Sequence, residues 1–177
     1  MHDISETTVQ NLNATDASVV RLLQLTDCHI LAGEQDCMRG MNTRASFEAV
    51  CEAAFSENTN LDLLLATGDL TQDASASAYR YLAGRFNALD LPVFWLPGNH
   101  DDPRVMEHHF GGTKSFPGVQ PCYQYAIDDF EFRILALNSH FDGSELPDYG
   151  ERRLQWLENA LAQSDRPTLI AIHHPPM

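Results

Sequence analysis

Positive charge is scarce in this chain: 11 Lys and Arg stand against 25 Asp and Glu in 177 residues, a formal net charge of -14. A nucleic-acid or anionic-membrane surface needs clustered cations, so the balance argues against both. An anionic substrate stays compatible, because bound divalent ions invert the local field of an acidic protein. Closely paired cysteines are also missing. Cys28, Cys37, Cys51 and Cys122 are scattered, which fits reduced thiols in a cytoplasmic protein and not a disulfide framework. No apolar run is long enough to cross a bilayer. The first cation is Arg21, so no basic secretory signal is visible, and residues 1–18 are expected to be a disordered leader.

From Val19 onward, short apolar runs alternate with amphipathic stretches, the pattern of an α/β domain over 19–177. Strands are predicted at Val19–Leu25, Leu61–Ala66, Val93–Leu96 and Thr168–Ile172, with a hairpin formed by Tyr123–Ile127 and Phe130–Leu137. Helices are predicted where apolar residues recur at helical spacing. The first has Phe47, Val50, Cys51, Ala54 and Phe55, capped by Asn42 or Thr43. The second has Tyr79, Leu82, Phe86 and Leu89. The third runs over Glu151–Gln163 with Leu154, Leu157 and Leu161 inward.

Four of these strands stop at once in polar clusters: Asp27 and His29, then Asp69, then Asn99 and His100, and finally His173 and His174. Ligand sites of open α/β sheets lie beyond the carboxyl ends of the strands, so the four clusters should meet. Two carboxylates, several imidazoles and an amide oxygen form a mixed N/O donor set. Such a set suits manganese, iron, zinc or cobalt better than calcium or magnesium. Asp27 and His29 can reach one ion, Asp69 can bridge two, and Asn99 with His173 can complete the second. Two such ions clamp a phosphoryl group and hold a bridging hydroxide for in-line attack. His100 would point at the phosphate as acid or charge stabiliser.

The remaining candidates read as ordinary structure. His108 and His109 on a surface helix and His140 in a loop are expected to be solvated. Cys28 should face away from the metals, and packing accounts for Trp95 and Trp156.

As a set, TDCHI, TGDLTQD, LPGNHD and IHHPP resemble the motifs of the calcineurin-like metallophosphoesterase superfamily. Within it, LLQLTDCHI, GMNTRASFEAV, LLATGDLTQD, FWLPGNHDD and ERRLQWLENAL are similar to the bacterial 3',5'-cyclic AMP phosphodiesterases. The resemblance runs from about Arg21 to the last residue. It implies a four-layer αββα sandwich, an iron or manganese centre, and hydrolysis of cyclic AMP to 5'-AMP. It also implies the ligand roles above, with Asn99 and His100 facing the substrate and Asp73 or Asp101 orienting His100. The superfamily's later Gly-His-x-His motif does not occur in these 177 residues, so the sandwich is expected to be C-terminally incomplete, with an apolar sheet edge available to another chain. Rival readings are another phosphodiesterase, a phosphatase or nucleotidase of the same superfamily, and a non-catalytic remnant.

Overall fold

The computed structural model describes residues 8–9, 19–57, 60–110, 124–141 and 149–175. Two sheets face each other across one core. The first contains β2 (Leu22–Leu25), β5 (Leu63–Thr67) and β6 (Val93–Leu96), all parallel, in the order β2-β5-β6. The second has the order β1-β7-β8-β9: β1 (Thr8–Val9), β7 (Tyr125–Ile127), β8 (Arg133–Leu137) and β9 (Thr168–Ile172). Here β7 and β8 form the antiparallel hairpin, while β1 and β9 pair in parallel at either side. A small separate hairpin joins β3 (Cys37–Met38) to β4 (Met41–Asn42).

Burial follows from the covering of each sheet. All five residues of β5 are buried, as expected of a parallel strand covered on both faces. Along β8 the side chains alternate. Ile134 and Ala136 enter the main core between the sheets, whereas Leu135 joins Ala126, Trp156 and Ala160 beneath a helix. The sheets are tied by the Tyr125 hydroxyl, which donates to the Trp95 carbonyl at 3.0 Å, and by Phe94 against Tyr125. Helices α1 (Thr43–Glu57), α2 (Ala76–Asn87) and α3 (Pro103–Phe110) contribute core residues on the first sheet's side, and α4 (Tyr149–Ala162) covers the second sheet. The result is the expected α/β architecture in αββα layers. Among the described residues, no helix is long and apolar enough to cross a membrane.

Several local expectations change. Thr8–Val9, inside the segment read as a leader, pairs with Ala126 and Ile127; residues 1–7 and 10–18 lie outside the described residues, as do Cys122 and Tyr123. In α4 the buried face is Trp156 and Ala160, while Leu154 is 63% and Leu161 42% exposed. Spacing could not choose between two adjacent helical rows, and the row that meets β7 and β8 carries the tryptophan. Asn42 is the cap of α1, its Oδ1 accepting from Ala45 N–H at 2.8 Å. The turn between β7 and β8 is held by a charged cluster in which Arg133, 2% exposed, and Arg166 both bond the Asp128 carboxylate.

Candidate metal centre

Parallel strands β2, β5 and β6 bring their carboxyl ends to one edge, and β9 of the other sheet arrives beside them. The loops after β2 and β5 continue to pair beyond the strands. Asp27 N–H donates to the Gly68 carbonyl at 3.0 Å, His29 N–H to Asp69 at 2.9 Å, and Ile30 N–H to Leu70 at 3.0 Å. This pairing forces unusual backbone. Asp27, His29 and Asp69 all have positive φ, 54°, 44° and 49°. Three chemistry-bearing residues in a region that L-residues avoid indicate a site whose surroundings override local preference.

Asp69 sits at the centre, 4% exposed. Its Oδ2 lies 3.6 Å from His29 Nε2 and its Oδ1 lies 3.5 Å from His173 Nε2. Asp27 Oδ1 is 3.8 Å from His29 Nε2. These gaps exceed a hydrogen bond but suit two donors that share an ion at bond lengths of about 2.1 Å. Two groups of donor atoms could each hold a metal ion: His29, Asp69 and His100, and Asp27, Asp69 and His173. Asp69 belongs to both, in agreement with a bridging position. The 3.8 Å gap from Asp27 to His29 also lets these two share one ion, which leaves His100 free to face the phosphate. Asn99 is exposed on the turn between Gly98 and His100.

Hydrogen bonds set the imidazole orientations. His173 Nδ1 lies 2.9 Å from the Thr67 carbonyl, which leaves Nε2 toward Asp69. His100 Nδ1 lies 3.0 Å from the Gln72 carbonyl and 3.1 Å from its side-chain Nε2, while Asp69 Oδ1 accepts from His100 N–H at 2.9 Å. His29 Nδ1 is buried with no hydrogen-bond partner among the described residues. An imidazole so placed spends its capacity through Nε2, at the cluster, so the donor set fits a divalent metal. Gly68 makes the close approach possible. Its φ is +95°, and a Cβ there would lie 2.5 Å from His173 Nδ1.

Asp101 and Asp73 do not orient His100. The buried Asp101 carboxylate accepts from Gly98 N–H at 2.9 Å, Leu70 and Thr71 N–H at 3.1 Å, and the Tyr79 hydroxyl at 2.9 Å. It clasps the β5 and β6 loops to α2. Burial pushes its carboxyl above the ordinary value, opposed by these donors. Asp73 instead caps Ser75 N–H at 3.2 Å. Gln72 is the orienting residue, and only tertiary placement identifies it.

Of two further expectations, the one for Cys28 agrees with its packing and the one for His140 does not. Cys28 packs against the main core, and burial pushes its thiol up to about 12, which keeps it protonated. His140 is buried, not solvated. Its Nδ1 lies 2.8 Å from the Gly98 carbonyl, its N–H donates to Asn138 Oδ1 at 2.9 Å, and neighbouring Ser139 Oγ lies 2.8 Å from His174 Nδ1. The end of β8 thus braces both the Gly98 turn and the His173-His174 segment. Nothing in the local sequence around His140 signals this.

A fold of two facing sheets with an aspartate shared between two imidazole-bearing groups defines the metallophosphoesterase class. The chain belongs to the calcineurin-like phosphoesterase family, whose model matches residues 20–177. It is 37% identical over 159 residues to the 3',5'-cyclic adenosine monophosphate phosphodiesterase CpdA of Escherichia coli K12, covering 89% of this chain and 56% of that protein. To the CpdA of Pseudomonas aeruginosa it is 34% identical over 169 residues, 94% of this chain and 59% of the relative. To the 3',5'-cyclic-nucleotide phosphodiesterase alr5338 of Nostoc it is 33% identical over 159 residues, 89% and 58%. The chain therefore spans a little over half the length of these curated relatives.

Proposed function

We propose that this chain carries the centre of a phosphodiesterase that hydrolyses 3',5'-cyclic AMP to 5'-AMP. The observation that supports it most is the position of Asp69, with one carboxylate oxygen toward His29 and the other toward His173. Asp27, His29, Asp69, Asn99 and His173 are the proposed ligands of two divalent ions, iron or manganese by preference and zinc or cobalt as alternatives. Such ions, when bound, supply Lewis-acid polarisation of the phosphoryl oxygens and an activated water.

The chain's own residues position and protonate. Nδ1 of His100 is held at the Gln72 carbonyl, so Nε2 turns toward the donor cluster. From there it hydrogen-bonds a phosphoryl oxygen and gives its proton to the departing 3' oxygen as the P–O3' bond breaks. Asn99, exposed beside it, contributes an amide to the same phosphate. The names of the relatives support cyclic AMP as substrate. A cytoplasmic location belongs to the same reading and rests on the unpaired Cys28, Cys37 and Cys51. So does pairing with a further chain along β9, an edge strand among the described residues whose Leu169 and Ile170 are 46% and 43% exposed.

Metal content and cyclic AMP hydrolysis, measured on the same manganese-loaded sample, test the proposal. The expected result is close to two ions per chain, with turnover abolished in Asp69→Ala. Unchanged turnover in that variant would refute the assignment, and near-zero metal without turnover favours the non-catalytic reading.

A further inference from the structure

A cavity of about 180 Å³ opens directly beside the donor cluster, with Asp27 and His29 in its wall. Its other walls come from Met38 and Met41 on the β3–β4 hairpin and from Phe47 and Val50 on α1. The hairpin presents its two methionines together. Arg39 and Gly40 have φ of 51° and 82°, the double positive of a two-residue type I′ loop. Met38 is therefore directly opposite Met41, and side chains of such a pair share one face.

The hairpin is anchored where it leaves the fold. Asn42 donates to the Glu34 carbonyl at 2.9 Å and caps α1 with its other amide atom. Gly33 N–H donates to Asp36 Oδ2 at 2.7 Å, and Arg44 donates to the Ala32 carbonyl at 2.7 Å. On this anchored frame, Met41 is 61% exposed and Val50 51% exposed. Burial in the core explains neither residue. The polar groups at the slot are mostly engaged: Thr43 Oγ1 accepts from Leu31 N–H, and Thr26 Oγ1 donates to Asp27.

We propose that this slot receives the nucleobase of the substrate, stacked against the thioethers of Met38 and Met41. The inference rests on the phosphodiesterase reading above. A cyclic nucleotide whose phosphate lies at Asp27, His29 and Asp69 must place its base one ribose away, and the slot is the apolar space that adjoins this end of the cluster. Methionine suits the task because its polarisable sulfur makes favourable contacts with aromatic rings and its unbranched chain adapts to their shape.

The test is carbon-13 methyl NMR on the zinc-loaded chain labelled at methionine, titrated in parallel with 5'-AMP and with ribose 5-phosphate. Zinc keeps the sample diamagnetic, Met38→Leu and Met41→Leu assign the two signals, and fully buried Met106 serves as the internal reference. The expected result is an upfield ring-current shift of Met38 and Met41 with 5'-AMP, none with ribose 5-phosphate, and none at Met106. As support from turnover, Met38→Ala/Met41→Ala should lower kcat/KM for cyclic AMP roughly threefold to tenfold and leave a base-free cyclic ribose phosphate unaffected. Phosphorus-31 signals that report nucleotide binding while both methyls stay still would overturn the slot and leave the phosphodiesterase reading intact. Equal methyl shifts with ribose 5-phosphate would also overturn it, because the base would not be their source. Binding of neither compound, together with absent hydrolysis, would remove both readings.

Discussion

Gly68→Ala tests the construction of the centre at its tightest point. The new Cβ would lie 2.5 Å from His173 Nδ1, 2.7 Å from its Cγ and 2.8 Å from Gly98 N. Carbon contacts settle near 3.5–4.0 Å, so the His173 ring must retreat by about 1 Å or the Gly98 turn must open. Positive φ in a residue with a Cβ costs about 1–2 kcal/mol. Overpacking adds about 1–3 kcal/mol. Loss of the His173–Thr67 bond adds about 1 kcal/mol. A total of about 3–6 kcal/mol is therefore expected, read as a lower urea midpoint at unchanged m-value. The His173 share is separable by a double-mutant cycle. In a His173→Ala background the ring contact is gone, and the cost of Gly68→Ala should fall by at least about 1 kcal/mol, leaving the backbone strain and the Gly98 contact. Metal affinity should drop in Gly68→Ala as well, because the displaced ring carries Nε2 away from Asp69. A cost below about 1 kcal/mol, or the same cost in both backgrounds, would refute the argument.

Other outcomes follow from the same structure. His140→Ala removes the partner of the buried Gly98 carbonyl and should cost about 1–3 kcal/mol in urea unfolding, whereas a solvated histidine would cost almost nothing. On α4, Trp156→Ala should cost about 3–5 kcal/mol and Leu154→Ala within about 0.5 kcal/mol, a contrast that reversed burial would invert. For Cys28, burial raises the thiol from 9.0 to about 12 in the folded state, so the native protein holds this proton more tightly than the unfolded chain. The resulting stability is complete below pH 9 and is lost as pH rises toward 12, at up to about 1.4 kcal/mol per pH unit. Urea midpoints between pH 8 and 11 should fall more steeply for the wild type than for Cys28→Ala.

Much of this protein is legible in the order of its residues. Apolar runs that follow Pro92 and Pro167 and stop at Pro97 and His173 mark β6 and β9 to the residue, because such short runs have one good solution, a covered strand. The placement of Asp27, His29, Asp69, His100 and His173 just beyond strand ends follows from the same pattern, since parallel strands share an edge. Their spacing also suggests two ions with Asp69 between them.

What the chain order leaves open depends on neighbours distant in sequence. Two adjacent rows of α4 are equally apolar on paper, and only contact with β7 and β8 selects Trp156 and Ala160 over Leu154 and Leu161. His140 looks like a loop residue until the sandwich brings it 42 positions back to the Gly98 carbonyl. Asp101 looks like a partner for the adjacent His100, yet its carboxylate turns inward to three backbone amides and a phenol, and Gln72 takes its place. Local sequence thus determined which residues could carry chemistry and at which edge they gather. The tertiary structure decided which atoms they present, because a side chain's orientation is fixed by the buried donors and acceptors that must be satisfied around it.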